Sequence, residues 1–192
     1  ASDVYKRQSV DPGSYIPTHW HRAIEIIYMQ EGSLDVIVES ESFTIYKGDC
    51  ILVNGNVLHS TKCTAPNTAI LLQIPLNFME KYIPNLGQLI FLWDYRTEDP
   101  VKKTKLMMLK TTLEQLQVIN DIQPDGYLLR FNSLIFELMF QLYHNFSVQV
   151  FPQDINHKKK EMDRLDPVLN YIAEHYNCLL YTSPSPRDIS GS

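Results

Sequence analysis

Between Ile24 and Ile74 the chain runs in short alternating stretches broken by turn formers. Leu34, Val36 and Val38 alternate with Asp35, Ile37 and Glu39, and Phe43 and Ile45 alternate with Thr44 and Tyr46. A period of two places one set of side chains on the buried face of a strand. Gly32, Gly48 and Asn54-Gly55-Asn56 mark the breaks. Closely spaced strands of this kind suit an antiparallel jelly roll. Residues 75–100 are less regular and are expected to pack across the barrel.

The period then changes. Leu106, Leu109, Leu113 and Leu116 recur at helical spacing, and Pro124-Asp125-Gly126 interrupts the stripe. Phe131, Leu134, Ile135, Leu138, Met139, Leu142 and Phe146 then form a second, broader face. Two such helices around a short break predict an antiparallel hairpin. Its apolar faces suit packing on the barrel or a dimer contact through Leu134, Leu138 and Leu142. Further on, the basic run His157-Lys158-Lys159-Lys160 reads as part of a solvated linker. A last amphipathic helix is expected from Asp166-Pro167, where Asp can cap and Pro can occupy the first turn.

The candidate chemistry lies early. His19, His21 and Glu25 have the same parity, so one extended strand would carry all three on one face. His59 supplies a possible fourth group. Three imidazoles and a carboxylate suit a divalent transition metal such as iron, manganese, nickel or zinc. The same four groups could instead hydrogen-bond a small molecule, with Trp20 and Tyr28 as candidate pocket walls or as core residues. The bland alternative is a set of internally paired residues that hold the barrel mouth.

Gly13, His19-x-His21, Glu25 and Gly32, followed by Gly48 and His59, resemble the two signatures of the cupin family. The first signature is matched throughout. The second is matched at Gly48 and His59, while Asn54, Asn56 and Cys63 stand where the family usually has Pro, Gly and a late Asn. The resemblance implies a cupin double-stranded β-helix, or jelly roll, with His19, His21, Glu25 and His59 as metal or ligand contacts. The implied class is mainly β with C-terminal α.

A second resemblance lies near the C-terminus. Arg164-Leu165-Asp166-Pro167-Val168-Leu169-Asn170-Tyr171-Ile172-Ala173-Glu174-His175-Tyr176-Asn177 is similar to the opening helix of an AraC-type DNA-binding domain. The order cupin, helix hairpin, linker and this helix is also that of an AraC-type regulator. The resemblance implies a small-molecule effector, a homodimer, and DNA contact only through recognition helices that lie beyond this chain. Neither an enzyme nor a membrane protein is expected from it. The alternatives are a metal-dependent cupin enzyme and a standalone small-molecule-binding cupin.

The two ends have their own signature. Codons can be chosen for residues 3–8 whose reverse complement, shifted by one base, encodes Cys178-Leu179-Leu180-Tyr181-Thr182-Ser183. Such inverted ends look like the transposon-end adapters of a sequencing library. The expected division is an adapter-derived tail at 1–8, a cupin effector-binding domain at 9–100 and a helical dimerisation hairpin at 101–148. A linker at 149–162, the start of a truncated helix-turn-helix domain at 163–177 and a second adapter-derived tail at 178–192 complete it.

Composition narrows the partners. The net charge of the 192-residue chain is −5, and between the two tails 14 Lys and Arg face 20 Asp and Glu. That balance argues against nucleic-acid binding by this part of the protein. Cys50 and Cys63 lie in no ligand-spaced pair and read as buried thiols. No apolar run approaches the ~18 residues of a membrane span, and no signal peptide is visible, so a cytoplasmic location is expected.

Overall fold

The computed structural model describes residues 5–10, as backbone only, and 13–150. The expected helix at 163–177, the tail at 178–192 and all but the first two residues of the 149–162 linker lie outside the described residues.

Eight strands come first: β1 (Tyr5–Val10), β2 (Tyr15–His19), β3 (Ala23–Glu31), β4 (Ser33–Val38), β5 (Glu41–Tyr46), β6 (Cys50–Val53), β7 (His59–Lys62) and β8 (Asn67–Pro75). They form two four-stranded antiparallel sheets, ordered β1-β8-β3-β6 and β2-β7-β4-β5. β1 begins within the stretch read as adapter-derived and occupies a sheet edge. Backbone pairing at an edge is open to almost any sequence without proline, so this placement is independent of the coding origin of residues 5–8.

The sheets differ in what covers them. On β3, Ile27 and Met29 join Leu34, Val36, Ile45, Ile51 and Ala69 in an apolar cluster fed by both sheets. The alternate residues Ile24 and Ile26 join Ile70, Leu72 and Ile74 of β8 in a second cluster, completed by the helices. β3 and β8 are therefore apolar on both faces, which explains their nearly continuous hydrophobic runs. β4 has one open face, where Ile37 is 44% exposed, and it keeps the alternation from which its strand was predicted.

Helix α1 (Leu76–Met79), a 3-10 turn at Leu86–Gln88 and strand β9 (Leu89–Phe91) carry the chain out of the sheets. The irregular region thus contains a strand that periodicity did not reveal. Helix α2 (Pro100–Ile122) starts at Asp99, whose carboxylate accepts from the backbone N–H groups of Val101 and Lys102. Gln123 and Gly126, both with positive φ, turn the chain into α3 (Tyr127–Gln141), which ends in a π-helical turn at Leu142–Phe146. Strand β10 (Ser147–Gln149) then pairs with β9.

All four stripe leucines of α2 and all seven predicted apolar residues from Phe131 to Phe146 are buried. The dimerisation expectation for Leu134, Leu138 and Leu142 is corrected by this packing. Their side chains are consumed within the chain, against α2 and the sheet, and offer no surface to a second copy. Three polar links also tie the sheet to α2. Tyr28 donates to Glu114 at 2.9 Å, Gln30 to Gln117 at 2.6 Å, and Lys110 to the carbonyl of Gly48 at 2.5 Å.

Candidate functional site

His19 does not share a strand with Glu25. β2 ends at His19 in one sheet and β3 begins at Ala23 in the other, so Trp20, His21 and Arg22 form the crossing between them. The single-strand expectation is therefore corrected: the crossing, not a common parity, brings the residues together. Backbone bonds fix it, with the Asn56 N–H donating to the His21 carbonyl and the Leu76 N–H to that of Arg22, both at 2.9 Å.

His59 opens β7 directly opposite His19, and their ring centroids are 4.2 Å apart. The His21 ring lies 5.7 Å from that of His19 and 4.9 Å from that of His59. One ligand nitrogen from each of the three lies within 4.8 Å of the others. Glu25 completes the quartet from β3, with Oε2 at 3.1 Å from His21 Nε2 and Oε1 at 3.7 Å from His59 Nε2.

Each imidazole is oriented by its own backbone. Nδ1 of His19 lies 2.9 Å from the Pro17 carbonyl, that of His21 3.1 Å from the Ala23 carbonyl, and that of His59 2.8 Å from the Val57 carbonyl. A carbonyl only accepts, so each Nδ1 carries the proton and donates. In the neutral ring Nε2 then holds the free lone pair, which is the tautomer a metal requires.

The electrostatics separate His21 from His59. The hydrogen bond to Glu25 raises the pKa of His21 despite partial burial. Burial lowers that of His59, which is 1% exposed. Burial also opposes ionisation of Glu25, but hydrogen bonds from His21 and Gln73 and the nearby imidazoles hold its pKa below the usual carboxylate value. A neutral His59 keeps its Nε2 lone pair. Among the described residues that atom is buried without a hydrogen-bond partner, since 3.7 Å to Glu25 exceeds hydrogen-bond reach. An orphaned buried acceptor costs free energy.

These features fit a divalent transition metal. Nε2 of His19, His21 and His59 would hold it, with Glu25 Oε1 available beside His59. A metal bound there would supply Lewis acidity and an oxygen-binding position for a small ligand.

Gln73 was not legible as a site residue. It lies opposite Glu25 on β8 and donates through Nε2 to Glu25 Oε2 at 2.6 Å. Its signal in the sequence is a single amide within the apolar run Ala69–Ile74. Tyr28 is corrected as a pocket wall. Its position on β3 points it away from Glu25, toward the helices, where its hydroxyl reaches Glu114. Trp20 is half-buried in the crossing.

Asn54 and Trp93 also gain roles. Asn54 donates to the Phe91 carbonyl at 2.8 Å and accepts from the Phe91 N–H at 2.9 Å, imitating a strand pair. Trp93 Nε1 donates to the Cys50 carbonyl at 2.7 Å. No helix among the described residues is long and apolar enough to cross a membrane.

Comparison with known proteins agrees with the first of the two resemblances. Residues 6–75 match the family model described as Cupin domain. The chain is 24% identical over 181 residues to an uncharacterized HTH-type transcriptional regulator, YdeC, of Bacillus subtilis (strain 168), covering 84% of this chain and 57% of the relative. The chain therefore spans little more than half the length of that curated relative. Among solved structures, an RmlC-like cupin from Shewanella frigidimarina is 25% identical, with a TM-score of 0.36 over 37% of this chain and 64% of that one. A predicted oxalate decarboxylase from Thermotoga maritima is 22% identical, with a TM-score of 0.35 over the same shares. The chain carries a cupin domain in its first part, and its class is mainly β with C-terminal α: a jelly roll followed by an antiparallel helix hairpin.

Proposed function

We propose that this chain is the effector-sensing and dimerisation part of an AraC-type transcriptional regulator, truncated before its helix-turn-helix units. One observation carries the reading. Similarity to the Bacillus subtilis regulator extends over 181 residues, far beyond the 6–75 match to the cupin domain, while leaving much of that relative uncovered. The barrel mouth then binds a small effector, with His19, His21, Glu25 and His59 as direct contacts or as holders of a divalent transition metal, and Trp20 as a flanking wall. A homodimer belongs to this reading. With Leu134, Leu138 and Leu142 buried, its contact falls to the outward side of α3 and the π-helical turn after it, where Phe136, Phe140 and Tyr143 are exposed. DNA is bound only through the missing domain, and the expected location is the cytoplasm.

The test is to sequence the source DNA past the codon for Asn177 with a library free of transposon adapters. About eighty further residues with two helix-turn-helix patterns are expected. A frame that stops there, or that continues natively through Cys178 to Ser192, overturns the regulator reading. The histidine cluster also favours a second reading, a metal-dependent cupin enzyme. Turnover of a candidate substrate by the metal-loaded chain, lost in His59→Ala, would establish it.

A further inference from the structure

We infer that Gln73 is a positioning residue that fixes how Glu25 meets the metal, an inference resting on the reading that the histidine cluster holds one. Three observations carry it. Gln73 sits directly across the β8–β3 ladder from Glu25. Its Nε2 donates to Glu25 Oε2 at 2.6 Å and lies 3.2 Å from His21 Nε2. Glu25 is 3% exposed, so bulk water does little to hold its charge.

Glu25 Oε2 thus has two neighbours, Gln73 and His21, while Oε1 faces His59. The two neighbours differ in what happens when the site fills. His21 Nδ1 is engaged with the Ala23 carbonyl, so Nε2 is the nitrogen available to a metal. A metal held there would occupy the Nε2 lone pair, so that atom could not also donate to Glu25. Gln73 alone, among the described residues, then tethers Oε2. An amide suits this task because it donates without titrating. Its hydrogen bond leaves Oε1 as the oxygen directed at the metal and limits Glu25 to one-oxygen contact. An orienting partner of this kind acts on affinity through the ligand that it holds.

The test uses Co(II) and the full chain. Affinity is measured by competition with a chromophoric chelator, and geometry by the visible spectrum of bound Co(II). Wild type is expected to bind. Gln73→Met, of similar length but without an N–H, is expected to bind about 10–100-fold more weakly with an altered spectrum. Glu25→Gln should then cost less affinity in the Gln73→Met background than in wild type, because the two residues act as one unit. Wild-type affinity and spectrum in Gln73→Met would overturn the positioning role and leave the metal reading standing. Failure of wild type to bind Co(II) would overturn the metal reading and this inference with it. A measurement on wild type guards against a variant that does not fold. The Gln73 side-chain amide is expected to shift on Zn(II) addition and to remain slow to exchange; fast exchange in the Zn(II)-loaded protein would overturn the tether.

Discussion

The two sheets are built from the same number of strands but solve different problems. In the β1-β8-β3-β6 sheet, strands β8, β3 and β6 are covered on both faces, one toward the other sheet and one beneath α2 and α3. The β2-β7-β4-β5 sheet has inward side chains in the shared core and outward ones such as Tyr15, Ile37 and Tyr46 exposed. The difference shows where stability and chemistry reside. The covered sheet carries most of the apolar packing, while the site forms where the two sheets meet, with His19 and His59 from one, Glu25 and Gln73 from the other, and His21 between them.

This contrast can be broken by substitution. Leu113 lies fully buried under the covered sheet. Leu113→Ala is expected to cost about 2–5 kcal/mol in urea unfolding. A loss near zero would mean that the helices contribute little to the fold. Asn54→Ala removes the partner of both backbone groups of Phe91 and should cost about 1–3 kcal/mol. An unchanged midpoint there would show that the seam between β6 and β9 closes without it. On the open sheet, Ile37→Thr should stay within about 0.5 kcal/mol of wild type. A larger loss would mean that this face is covered in solution.

The smallest expected effect is an absence of reaction. Cys50 lies on the helix-covered side of β6, and burial pushes its thiol up to about 12, with Asp49 adding to the shift and Lys110 opposing it. The thiolate is the reactive form. Iodoacetamide at pH 8 should therefore leave Cys50 unmodified in the folded protein and alkylate it in urea. Rapid labelling of the folded chain would show that the helices open readily over the sheet.

The same division explains what the sequence made legible. Strands with one open face announced themselves by alternation, as β4 and β5 did. The helices did so through leucines at helical spacing. β9 gave no such signal because it is three residues long and is held by Asn54 and β10 rather than by its own pattern. At the site, the His19-x-His21, Glu25 and His59 pattern identified residues that do converge. The pattern could not reveal that a crossing between sheets brings them together, nor that Gln73 supports Glu25. Both facts depend on strand register, which no local run of residues encodes. Tyr28 shows the complementary error: a polar aromatic near the motif serves the helix-covered side because its parity is opposite to that of Glu25.

His19 stands opposite His59, and Glu25 opposite Gln73. One facing pair comes from each sheet. A slip of one residue in a ladder would turn every side chain of the displaced strand to the opposite face. Either slip would remove a member of the quartet or its support from the mouth of the barrel. The site therefore checks the register of both sheets at once. A barrel paired one residue out of step could remain compact and hydrogen-bonded, yet would be blind to its ligand instead of binding it less well.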